Sequence, residues 1–145
     1  MKISRNVGRQ AAQVLCGRLL GAGAYRRVYI YRPHTDWVVK VEDGGYCFSN
    51  IKEWEVWEAM RECPSVAKFL VPCHYISPNG TILIQDRTTP IEVMHLPKKI
   101  PSFLSTDLKS ENWGWSIKKK PVCHDYGNFR IGDGTKLVKA DWSRG

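Results

Sequence analysis

The chain has 145 residues, 43% of them apolar, with 22 Lys plus Arg against 14 Asp plus Glu and a formal charge of +8. That length suits a single compact domain over 1–145, and no run of about 18 apolar residues is present to cross a membrane. The five cysteines are odd in number, scattered and without a CxxC pair, which argues against a disulfide framework or a structural zinc site and for a reducing cytosol.

In chain order, MKISRNVGRQ has charge without the apolar stretch of a secretory signal. SRNVGRQAAQVLCGRLL begins as a short helix with Ser4 or Asn6 as cap. After the GAGAY turn, RRVYIYR alternates as a strand, His34-Thr35-Asp36 turns the chain, and WVVKVE is a further strand. Residues from about Leu15 to Glu42 therefore form a three-stranded meander. In SNIKEWEVWEAMREC, Ile51, Trp54, Trp57 and Met60 recur three residues apart with Val56 beside them, which predicts a helix capped by Ser49 or Asn50. VPCHYIS and TILIQDR flank Pro78-Asn79-Gly80, a hairpin signal. Residues 88–121 are irregular, rich in proline, with a helix expected within 102–116. NFRI and TKLVKADW around Gly132-Asp133-Gly134 predict a second hairpin. The order β-β-β-α-β-β, an irregular segment, then β-β defines an α+β chain.

Charge is uneven along this order. Residues 1–40 have eight basic groups and one acid, and residues 41–70 have three basic groups and six acids. A basic surface attracts nucleic acid, nucleotide phosphates or an acidic protein partner. Trp113, Trp115 and Lys118–Lys120 suit either core packing or a stacking platform beside phosphates. His34, His74, His95 and His124 are scattered and form no metal-ligand set.

LGAGAYRRVYIY resembles the glycine-rich loop of the protein kinase and aminoglycoside phosphotransferase superfamily, with Gly21, Gly23 and Val28 matching and Arg26 in place of the third glycine. WVVKVE resembles that family's strand bearing the phosphate-binding lysine, here Lys40. The family pairs this lysine with a glutamate of the next helix. Glu53 is the candidate, because Val56 and Trp57 follow it at helical spacing. TILIQDRTTPI is similar to the hinge that receives adenine, which places Gln85 and Asp86 there, although an ordinary strand end reads the same way. CHDYGNFRI, then KLVKADW, looks like the catalytic loop and metal-binding strand of small bacterial and phage kinase-like proteins, with Asn128 and Asp141 as the magnesium ligands.

The resemblance implies a kinase-like N-terminal lobe over 15–87 and a reduced C-lobe-like part over 88–145, binding ATP and magnesium. It covers only the first part of the family's fold. The aspartate that serves the family as base is replaced by Cys123, so Asp125 is the candidate base and His124 an alternative. Three functions follow: a minimal phosphotransferase, a catalytically inactive kinase-like scaffold (pseudokinase) of viral type that inhibits an acidic host protein in the cytoplasm, or a nucleic-acid-binding protein. No membrane partner is expected.

Overall fold

The computed structural model describes residues 14–42, 48–106, 108–130, 132 and 134–144. The expected N-terminal helix falls largely outside these residues; Cys16 onward is strand. The chain divides into two compact units, residues 1–51 with 73–87, and residues 52–72 with 88–145.

In the first unit, β-branched and aromatic residues favour β2 (Arg26–Tyr31) and β3 (Trp37–Glu42), and β1 (Cys16–Ala22), which has neither type, pairs with β2 to give the expected meander. The hairpin of β4 (Cys73–Ile76) and β5 (Ile82–Asp86) joins it, and the antiparallel sheet has the order β1-β2-β3-β5-β4. One face gathers Val39, Ile82 and Ile84, with Tyr29, Tyr31, Trp37 and Val41 around them. The opposite face carries Lys40 and Gln85, because side chains alternate along a strand. At the β4–β5 turn only Gly80 adopts a positive φ, of 75°, and a Cβ there would run into the Ile51 side chain. Asn79 instead acts through its side chain: Oδ1 accepts from Ser77 Oγ at 2.9 Å and from Thr81 N at 3.2 Å.

Helix α1 (Ser49–Met60) follows Phe48, whose φ is 56°. Ser49 and Asn50 lie inside the helix rather than capping it. The Asn50 N–H donates to Glu42 Oε1 at 2.6 Å and its Nδ2 to the Lys40 carbonyl at 3.0 Å. The fully buried stripe is Asn50, Glu53 and Val56, whereas Ile51, Trp54, Trp57 and Met60 are only half-buried. Polar residues occupy the interior line because they satisfy main-chain groups there.

The second unit contains the remainder of α1, the short α2 (Pro64–Ala67) and two two-stranded ladders. β6 (Lys99–Pro101) pairs with β9 (Leu137–Lys139), and β7 (Trp113–Trp115) with β8 (Pro121–Cys123). Two sequence expectations are corrected here. Residues 102–116 form no α-helix but 3-10 turns at Ser102–Ser105 and Ser110–Asn112, followed by β7. KLVK does not form a hairpin with NFRI; it pairs with Lys99–Pro101, and Val138 lies opposite the fully buried Ile100. Among the described residues no helix is long and apolar enough to cross a membrane.

Candidate functional site

The glycine-rich loop lies at the end of β1. Gly21 pairs with Val28, and the Gly23 N–H donates to the Arg26 carbonyl at 2.9 Å, which closes the turn. Both glycines are exposed and neither has a positive φ. A Cβ on Gly21 would meet nothing within 4 Å, and one on Gly23 would meet only the Arg26 carbonyl oxygen, at 3.8 Å. Arg26 extends its guanidinium to Asn50 Oδ1 at 3.0 Å, so Asn50 links β2, β3 and the start of α1. Sequence reading treated Arg26 as a departure and Asn50 as a cap; no pattern in the chain announces their contact.

Val28 pairs with Lys40, which is 3% exposed and faces away from Val39 and Val41. Gln85 is fully buried, its Nε2 donating to Cys73 Sγ at 3.3 Å. The Asp86 carboxylate lies 2.6 Å from His74 Nε2, beside a stack in which Trp37 sits between His34 and His74 at centroid distances of 4.3 and 4.1 Å. The side chains of both hinge candidates are thus engaged within the first unit. Burial pushes the Cys16 thiol above its ordinary value, and the Arg32 guanidinium partly opposes that shift.

In the second unit the HDYGN segment is fastened from several directions. Cys123 is fully buried; its N–H donates to the Phe69 carbonyl at 2.7 Å, and its carbonyl accepts from Val71 N at 3.1 Å. The Tyr126 hydroxyl donates to the Val71 carbonyl at 2.8 Å. The Gly127 N–H donates to Glu53 Oε2 at 3.0 Å, with Glu53 fully buried. His124 Nε2 is 3.0 Å from the Glu111 carbonyl, which can only accept, so Nε2 carries the proton. In the neutral ring Nδ1 then accepts from Thr88 Oγ1 at 2.8 Å. These bonds give His124 a structural position, and Asp125 is half-buried beside it.

Asn128 is exposed and lines a cleft of about 360 Å³ with Lys52, Glu55, Val56, Phe129 and Arg130. Asp141 is not among the lining residues. Its Oδ1 accepts from Ser143 N at 3.1 Å and Ser143 Oγ at 2.5 Å, capping the last 3-10 turn. No group of three His, Cys, Asp or Glu among the described residues is placed to hold a metal ion. Trp113 is 3% exposed and meets Trp142 edge-on at 5.3 Å, so it belongs to the core, while Trp115 lies half-buried against His95.

The five-stranded antiparallel sheet, with two helices between its third and fourth strands, makes the fold α+β. No protein-family model matches the chain, and no curated protein does. Among solved structures it is similar to the streptomycin–ATP–APH(2")-IIa ternary complex, with 14% identity and a TM-score of 0.46. The match covers 64% of this chain and 31% of that one, so the chain spans about a third of that protein's length.

Proposed function

We propose that the chain is a kinase-like protein that binds ATP with magnesium. The observation that carries this reading is the state of Gly21 and Gly23: neither backbone conformation nor crowding requires glycine at either position. Glycine without a structural need leaves the main chain open to close approach, which is what a phosphate group uses. Lys40, on the inner face of the third strand, is the residue for those phosphates. An adenine contact at Asp86 would run through the main chain, since its carboxylate is held by His74, whereas the Gln85 main chain already pairs with Val38.

Asn128 would supply a hard oxygen donor of the type magnesium takes, while Asp141, outside its cleft, directs Oδ1 to Ser143; ATP would supply the phosphoryl group. Lys52, Arg130 and Glu55 share the Asn128 cleft, and their net charge of one positive unit disfavours a bare dication there. Magnesium should therefore enter only with the nucleotide's phosphates.

Isothermal titration with ATP and magnesium tests the reading. Saturable heat is expected, with none for magnesium alone. Gly21→Ala should leave the melting temperature unchanged and weaken ATP binding, and Lys40→Ala should abolish it. No heat and no thermal shift at millimolar ATP would remove the proposal.

A second reading, an inactive scaffold for an acidic protein partner, is favoured by the state of the candidate bases. Cys123 stands at the family's aspartate position and is fully buried, and both His124 nitrogens have hydrogen-bond partners. Asp125 is then the remaining candidate base. Radiolabel transfer that disappears in Asp141→Ala supports catalysis. A partner retained by both Lys40→Ala and Asp141→Ala supports the scaffold.

A further inference from the structure

The β6–β9 ladder contains a charge arrangement that folding alone does not favour. Lys99 and Lys139 are direct cross-strand partners. Ala140 N donates to the Lys98 carbonyl and Ser102 N to the Lys136 carbonyl, at 2.9 and 2.8 Å. Hydrogen-bonded pairs alternate with non-bonded ones, so the Lys99–Lys139 pair is of the non-hydrogen-bonded kind. Side chains lie closest in such pairs, and like charges directly opposite one another are destabilising. Lys98, Lys99, Lys136 and Lys139 are all exposed, and no acid occurs in residues 98–101 or 136–140. None of the four ammonium groups has an ion-pair partner among the described residues. The nearest acid along the chain, Asp141, directs Oδ1 to Ser143.

We infer that this ribbon binds the phosphate backbone of a nucleic acid through the face that carries Lys99 and Lys139, Lys98 and Lys136 standing on the opposite face with Ile100 and Val138. An external polyanion relieves the repulsion that the fold leaves in place. Protein interfaces are depleted in lysine and built around aromatic, methionine and arginine anchors, none of which the ribbon carries; backbone phosphates need only compact positive charges. Phosphate contacts carry no base information, so recognition here proceeds without sequence preference. The inference is independent of nucleotide binding, and its test contains no ATP.

Fluorescence anisotropy with a labelled random-sequence duplex of about 20 base pairs, at 50 to 200 mM KCl, tests it. Two phosphate contacts predict a log–log salt slope of about −1.8, which is about a 12-fold loss of affinity over that range. Lys99→Ala/Lys139→Ala should reduce the slope by about 1.8, whereas Lys118→Ala/Lys120→Ala, removing the same charge, should leave it unchanged. Lys139→Glu should abolish binding while raising the melting temperature by about 2 °C, since it turns repulsion into attraction. Three results would each overturn the inference: no binding at 50 mM KCl, an equal slope change in both double variants, or a lower melting temperature in Lys139→Glu. Competition by polyglutamate as effective as by unlabelled duplex would also overturn it, in favour of an acidic protein.

Discussion

Removing the Glu53 carboxylate takes away the acceptor of the Gly127 N–H. The Gly127 N–H donates to it at 3.0 Å, and both residues are buried. In Glu53→Ala that N–H loses its acceptor in a site closed to water, which costs about 1–3 kcal/mol. The vacated volume adds a cavity term, for a total of about 2–4 kcal/mol. Glu53→Gln keeps an oxygen in place of similar size and exchanges a charged acceptor for a neutral one, a loss of about 1 kcal/mol. Five of the six tryptophans (54, 57, 113, 115 and 142) lie in the second unit, so tryptophan fluorescence during urea unfolding reports chiefly on it. With a slope of about 2 kcal/mol/M, the midpoint should fall by about 1–2 M in the alanine variant and by about 0.5 M in the glutamine variant. The Gly127 amide should exchange rapidly only in Glu53→Ala. Equal losses in the two variants, or an alanine loss below about 0.5 kcal/mol, would refute the assignment of Glu53 as the anchor of the HDYGN segment.

Three further outcomes are expected. In Gly114→Ala the new Cβ would sit 2.7 Å from the Thr89 carbonyl oxygen and 2.9 Å from Thr88 Cβ, where Thr89 and Trp115 exchange hydrogen bonds of 3.0 and 2.8 Å. A loss of about 1–3 kcal/mol in urea unfolding is predicted, and an unchanged midpoint would contradict it. Because burial raises the Cys16 thiol and Arg32 lowers it, iodoacetamide at pH 8 should label Cys16 more slowly than a free thiol, and Arg32→Gln should slow it further; acceleration would refute the electrostatic role. The raised thiol contributes stability that is complete below its unfolded value and is lost as pH climbs through the folded one. Above about pH 8.5, Cys16→Ala should therefore show a flatter decline of stability with pH than the parent.

Much of the first unit was legible in the chain, because its signals are local. Alternation in RRVYIYR, the WVVKVE run and the Asn79-Gly80 turn depend on neighbouring residues, and the sheet follows them. Glu53 was selected because Val56 and Trp57 continue its face, and it is indeed buried. The helix's inner line was misjudged, since apolar spacing marked Ile51, Trp54, Trp57 and Met60. Asn50 and Glu53 lie deeper because they complete hydrogen bonds to distant main-chain groups, a demand that hydrophobic periodicity does not encode.

The candidate site divides in the same way. The resemblance marked Gly21, Gly23, Lys40, Asn128 and Asp141 by residue type and order, and those are properties of the chain itself. Only the folded molecule showed that Gly21 and Gly23 have open space around them, that His124 has both nitrogens engaged, and that Asp141 caps its own turn.

Strand partners gave the sharpest contrast. KLVK reads as a strand from its own residues, but nothing in those residues names Lys99–Pro101 as its partner. A strand exposes the same hydrogen-bonding groups to any neighbour. Pairing is settled by which apolar side chains pack together, here the half-buried Val138 opposite the buried Ile100. The sequence by itself therefore determined the elements and the inventory of charges. The tertiary structure decided which charges face one another, including the lysines of the β6–β9 ribbon, because chain segments far apart in sequence meet only when the core closes.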